Sequence, residues 1–135
     1  MTQTPPHKAN SPVMPAAVAP PAAHYVHGVA TSEATRWLHT SGVVPTAPDG
    51  TVATTIEEQA GEVWRTLLVL LDEADMSASD VISVTTYAVV GEELGPVMAA
   101  RDAALDGHLA ASTLVLVPAL AQPAWLMEIS IIAAR

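Results

Sequence analysis

The sequence predicts an α+β fold in the order ββ-α-β-α-ββ. Three features carry this expectation. A long amphipathic stretch with helical spacing opens at Thr55. The run VISVTTYAVV (81–90) is β-branched. Two further apolar runs, STLVLV (112–117) and WLMEISIIA (125–133), close the chain.

Each element has a local reason. HYVHGVA (24–30) reads as a short strand, with Gly28 marking a bulge or a close backbone approach. SEA (32–34) is a turn, and TRWLHTSG (35–42) is a second strand that puts Trp37, His39 and Ser41 on one face. The PDG in VPTAPDGTV signals a loop. Thr55 and Glu58 have the spacing of a capping box, in which each side chain satisfies a free backbone donor. Ile56, Ala60, Val63, Leu67, Leu70 and Ala74 then form an apolar stripe, and Glu57, Glu62, Arg65 and Asp72 mark the wet side. MSASD (76–80) ends that helix. A second helix starts near Gly95 or Pro96 and stops at Gly107.

Two helices cannot cover both faces of that many strands, so one sheet face is expected to be bare. A bare face of Val, Leu, Ile and Trp37 needs a partner, most simply further copies of the chain in a closed ring.

At 135 residues the chain is expected to form one domain, residues 23–135, behind a mobile Pro-rich tail, residues 1–22. Pro5, Pro6, Pro12, Pro15, Pro20 and Pro21 interrupt any apolar leader. The 14 acidic and 5 basic residues give a net charge of −9, which repels nucleic-acid phosphates and anionic lipid, so neither is an expected partner. The lack of cysteine excludes disulfides, thiolate metal sites and a cysteine nucleophile, and fits a cytoplasmic protein. Lys8 is the only lysine, which argues against Schiff-base chemistry in the folded domain.

The candidate chemistry centres on Glu128, a lone carboxylate in an apolar run that shares its face with Leu126 and Ser130. Partial desolvation there would suit a general acid or base. The plainer reading is an edge glutamate facing water or paired between subunits. His24 and His27 flank Tyr25 and could serve as base or donor, although a lone histidine is more often structural. His39 and His108 are weaker candidates of the same kind. No H-x-H or H-x-x-x-H spacing suggests a metal, and no cofactor is implied.

Six local motifs, in the correct order over residues 19–135, resemble the RidA/YjgF family of reactive-intermediate imine deaminases. They are AHYVHGV (23–29), HTSGV (39–43), Pro45 with PDGTV (48–52), EEQA (57–60), DVISVTTYAV (80–89) and MEISIIA (127–133). The resemblance implies a chorismate-mutase-like α+β domain, a homotrimer, and three clefts between subunits that take a small-molecule substrate. It also implies that Glu128 holds the attacking water. Tyr25, Ser41, Gly42 and Thr113 would line the cleft.

The departures from the family are as informative. Typical deaminases carry P-A-R-S/T before the penultimate strand, where the arginine grips a substrate carboxylate. Here HLAAST (108–113) puts Ala111 at that position. His24 and His27 replace the family's proline and glutamine around Tyr25. Val43 replaces the glutamine after T-S-G, and Met98 falls where a helix asparagine stands. Arg101 is nearby in sequence and is expected to face solvent.

The expectation is therefore an enzyme on a RidA scaffold, catalysed by Glu128 with Tyr25 and His27. His24, Ser41, Gly42, Val43, Met98, Ala111 and Thr113 would contact substrate. That substrate would be a neutral imine, enamine or similarly activated metabolite, undergoing hydrolytic deamination, tautomerisation or cyclisation, as in secondary metabolism. The alternative is a non-catalytic trimer that binds a ligand or a partner.

Overall fold

The computed structural model describes residues 9–135. In chain order the elements are β1 (Asn10–Val13), β2 (Gly28–Thr31), β3 (Trp37–His39), α1 (Ile56–Glu73), β4 (Val81–Val89), α2 (Gly95–Leu105), β5 (Ala111–Val117) and β6 (Met127–Ala134). A single 3₁₀ turn, Ala78–Asp80, lies between α1 and β4. Strands β3, β6, β4 and β5 form one sheet in that order, while β1 and β2 form a separate two-stranded ribbon. β6 runs antiparallel to β3 and to β4, and β4 runs parallel to β5 across the α2 crossover. No helix among the described residues is long and apolar enough to cross a membrane.

The strands alternate as a half-covered sheet requires. Val84, Thr86 and Ala88 of β4, and Met127, Ile129, Ile131 and Ala133 of β6, are buried. Of these, Val84, Met127, Ile129, Ile131 and Ala133 pack with Val63, Trp64, Leu67 and Leu71 of α1 and Val97 and Leu105 of α2. Each fully buried aliphatic side chain contributes about 1.5–3 kcal/mol of transfer free energy. The opposite face carries Ser83, Thr85, Tyr87 and Val89 from β4 and Glu128, Ser130 and Ile132 from β6. An open face is what the element count predicts, but Ser, Thr, Tyr and Glu side chains stand on it among the Val and Ile, in place of the wholly apolar surface expected.

Helix α1 differs from the expected pattern in detail. The buried stripe runs through Leu71 at 1% exposure, and Leu70 is 37% exposed. Thr55 does cap the helix, since its Oγ1 accepts from the Glu58 N–H at 3.2 Å. The Glu58 carboxylate then receives the Thr55 hydroxyl proton at 3.1 Å, in place of the Thr55 backbone N–H.

Regular structure also begins earlier than the expected boundary at residue 22. β1 pairs antiparallel with β2, from Asn10 opposite Thr31 to Val13 opposite Gly28. Asn10 Nδ2 donates to the Ala134 carbonyl at 2.7 Å, tying the ribbon to the end of β6. Pro12 is tolerated because β1 has only one neighbour, so the missing N–H can lie on the unpaired side. The part of the expected tail in residues 1–8 lies outside the described residues.

Candidate active site

A one-residue slip sets up the site. His39 lies opposite Ile132, yet Val43 bridges Ile129, so four steps along one strand meet three along the other. The surplus residue is absorbed at Thr40–Gly42 as a bulge. Thr40 holds it in place: its N–H donates to the Ile131 carbonyl at 3.1 Å, and its Oγ1 accepts from the Ile131 N–H at 2.9 Å. Side chains beyond the bulge change face. Val43 therefore turns into the core at 9% exposure, with its N–H bonded to the Ile129 carbonyl at 2.7 Å. Val43, expected to contact substrate because it stands at the family's glutamine position after T-S-G, has its side chain in the core instead.

The same bulge brings Gly42 onto Glu128. A Cβ built on Gly42 would stand 2.7 Å from Glu128 Cδ and Oε2 and 3.0 Å from Cγ. The glycine is needed here for close approach, because its φ is not in the left-handed region. Glu128 is half-buried on the open face, and its carboxylate has no hydrogen-bond partner among the described residues. Opposite it on β4 stands Tyr87, which the sequence reading passed over as a strand residue. Ser41 is exposed beside Gly42.

The other expected residues gather at the β5 edge. Val26 is buried, bridges Ala111, and donates its N–H to the Ala110 carbonyl at 3.1 Å. Tyr25 and His27 flank it, with their rings edge to face at 6.3 Å. The Tyr25 hydroxyl accepts from the Ala22 N–H at 3.2 Å. His27 Nε2 donates to the Ala19 carbonyl. Ala111 lies opposite Ser83 and Thr113 opposite Thr85, so both share the sheet face of Glu128. Glu128 and Ala111 are separated by β4 and by four residues along the strands. At usual strand spacings that is about 16 Å, so one copy of the chain does not bring the two groups together.

Several candidates lie elsewhere. Met98 sits on α2 in the helix layer, on the far side of the sheet from Glu128. His24 is bonded through Nδ1 to Asp102 Oδ2 at 3.1 Å, and His108 donates from Nε2 to the Val81 carbonyl at 2.7 Å. His39 stacks on Trp37 at 6.2 Å, and Trp37 is 51% exposed. A cavity of about 840 Å³ beneath the β1–β2 ribbon is lined by Asn10, Val26, His108 and Arg135 among others, and does not reach Glu128. No group of three or more potential metal ligands gathers among the described residues.

Arg101 corrects a further expectation. It is 7% exposed, not solvent-facing. Its Nε donates to Asp102 Oδ1 at 3.1 Å and Nη1 to the Ser112 hydroxyl at 3.4 Å, while Nη2 is buried without a partner. It lies on the α2 side of β5, because Ser112 is opposite the core residue Val84. It therefore does not occupy the place that Ala111 leaves empty. The remaining arginines are also engaged. Arg36 and Arg135 donate to the Ala74 and Asp75 carbonyls, and Arg65 holds Glu62 through two nitrogens. No cation stands beside Glu128 within the described chain.

Comparison with known proteins agrees with this architecture. A model of the family described as Endoribonuclease L-PSP matches residues 16–135. The chain belongs to this family, the Rid/YjgF proteins. The crystal structure of YyfB from Yersinia pestis, a Rid-family protein of unknown function, is similar at TM-score 0.86 and 26% identity, covering 95% of this chain and all of that one. The YjgF gene product of E. coli is similar at TM-score 0.69 and 25% identity, covering 90% of this chain and 93% of its own. E. coli TdcF, solved with bound serine, shares the fold at TM-score 0.69 and 23% identity, with 90% of this chain and 93% of that one covered. No curated protein matches. Among the described residues, Glu128 has neither a hydrogen-bond partner nor a cation beside it on the open sheet face.

Proposed function

We propose that this Rid-family chain is an enzyme for a small neutral imine or enamine, with Glu128 as the group that positions and deprotonates water. The observation that carries this is the Glu128 carboxylate itself. Among the described residues it has no hydrogen-bond partner and no guanidinium or ammonium beside it, and it is seated against Gly42 on the open sheet face. In the hydrolytic case, water adds to the C=N carbon as Glu128 takes its proton. That proton passes to the nitrogen, giving a carbinolamine. Glu128 then takes its hydroxyl proton and delivers it to the nitrogen as the C–N bond breaks, releasing the amine and a carbonyl compound. Tautomerisation needs the same carboxylate and no water.

The cleft is completed by a second copy in a homotrimer. Tyr25, His27, Ala111 and Thr113 lie too far from Glu128 within one chain, and the bare sheet face requires cover. A carboxylated substrate would face Glu128 with no cation to offset the repulsion, which favours a neutral one. The family description names an endoribonuclease. A net charge of −9 and four engaged arginines work against RNA as the substrate here. The second reading is a non-catalytic binding trimer, favoured by the uncharged Ala111 position.

The test is turnover of a matched pair, a neutral imine such as 1-pyrroline and its 2-carboxylate. The expected result is higher kcat/KM on the neutral member, lost in Glu128→Gln. If both members are inert and Glu128→Gln binds them as the wild type does, the binding-trimer reading replaces this one.

A further inference from the structure

The row of residues across the open face at Glu128 runs Gly42, Glu128, Tyr87, Val115. Glu128 and Tyr87 are directly opposed in the β4–β6 ladder, so their Cβ atoms leave the same face about 5 Å apart. Both side chains are half-buried. Neither the Glu128 carboxylate nor the Tyr87 hydroxyl has a partner among the described residues. A strong acceptor and a strong donor thus stand side by side, both open. One flank carries no side chain at Gly42, and the other carries Val115, an apolar residue 39% exposed.

Tyr87 differs in this respect from the other tyrosine. Tyr25 already uses its hydroxyl on the Ala22 N–H. The donors nearest Tyr87 on this face are also neutral, the hydroxyls of Ser130 and Thr85, which oppose each other two residues along the ladder. Recognition at this shelf is therefore carried by uncharged hydroxyls, and Tyr87 is the one nearest Glu128 across the ladder. A phenol combines a hydrogen bond with a broad apolar surface, so it can fix both ends of a small amphipathic ligand.

We propose that Tyr87 is a substrate-binding and specificity-determining residue of this site. Its hydroxyl donates to a neutral acceptor, an imine nitrogen or a carbonyl oxygen, and its ring packs on the apolar body of the ligand. This rests on reading Glu128 as the reacting carboxylate. It also explains how a chain without the arginine clamp can still orient a substrate. A donor without charge rewards a neutral acceptor, whereas a ligand carboxylate would stand next to Glu128 and be repelled.

The chain has only two tyrosines, which makes the test direct. Protein labelled with ¹³C in its tyrosine rings gives two ring systems, and Tyr87→Phe assigns them. The probes are 2-pyrrolidinone, a neutral lactam, and 5-oxoproline, the same ring with a carboxylate. The expected result is that the lactam moves the Tyr87 signals and leaves Tyr25 still. Tyr87→Phe, which keeps the ring and the fold, should weaken lactam binding about tenfold, and 5-oxoproline should bind more weakly than the lactam. If lactam binding responds to Glu128→Gln but not to Tyr87→Phe, the Tyr87 assignment falls and the Glu128 reading stands. If 5-oxoproline binds better than the lactam, or the lactam does not bind, the neutral-substrate reading falls and takes this inference with it.

Discussion

Gly42→Ala separates fold from chemistry more cleanly than any other substitution in the site. The added methyl would lie 2.7 Å from Glu128 Cδ and Oε2. Carbon atoms in contact sit about 3.5–4 Å apart, so the carboxyl group must retreat by about 1 Å. The group that moves is the free end of a flexible side chain, and Gly42 is exposed with no left-handed φ to lose. The stability cost is therefore small, about 0.5–1 kcal/mol, a few degrees in Tm. Catalysis is much less tolerant, since a displacement of about 1 Å at a reacting group lowers the rate on the order of 100-fold. That is about 2.7 kcal/mol of activation free energy. The assay pairs thermal unfolding with kcat/KM on 1-pyrroline. Unchanged turnover in Gly42→Ala would refute the claim that Gly42 sets the position of Glu128. A collapse of Tm would show that the glycine serves the fold instead.

Other outcomes follow from buried polar groups and from pH. Gln59 is fully buried and donates to the Ala53 and Ala124 carbonyls while accepting from the Leu126 N–H, all at 2.8 Å. Gln59→Leu orphans all three and should cost about 3–5 kcal/mol, lowering Tm by about 10 °C or more in thermal melts. Asp102→Ala leaves the buried Arg101 guanidinium without its carboxylate, whereas Arg101→Met removes the charge itself. Calorimetry should find Asp102→Ala the more destabilising of the two, and the reverse order would contradict the burial of Arg101. Asp49 accepts from the Thr51 hydroxyl at 2.7 Å and the Thr51 N–H at 3.0 Å. These bonds, the hydroxyl's first, hold its pKa below the usual 3.8. A depressed carboxyl pKa contributes stability above the unfolded value that is lost as pH falls through the folded one. The Thr51 amide should therefore lose exchange protection only below about pH 4, and an Asp49 carboxyl titrating above 3.8 would exclude these bonds.

Much of the layout was legible because it rests on local rules. The Thr55 cap, the β-branched run at 81–89, and Pro96 opening a helix that ends near Gly107 each follow from short-range chemistry. The same holds for the bare face, which follows from counting strands against helices. The misreadings arose where long-range pairing decides. No local pattern shows that Thr40 would take over the hydrogen bonding of Ile131 and so turn Val43 inward. Likewise, β1 exists because Gly28–Thr31 offers an edge to pair with, which a Pro-rich stretch cannot reveal by itself. Arg101 was placed in solvent because a helical arginine usually is. Its position between Val97 and Leu105 on one helix face was the available signal for burial. Tyr87 was hidden because pairing opposite Glu128 depends on register, and the irregularity between Val81 and Ser83 sets that register.

The most direct measurement is a crystal structure of the assembled protein soaked with a neutral lactam and, separately, with its carboxylate. The expected result is a lactam seated between two copies of the chain. Glu128, Gly42 and Tyr87 should come from one copy and the Tyr25–Ala111 edge from the other, with no guanidinium in contact. An arginine from either copy closing on the carboxylate would contradict the neutral-substrate reading and return this chain to ordinary amino-acid-derived imines.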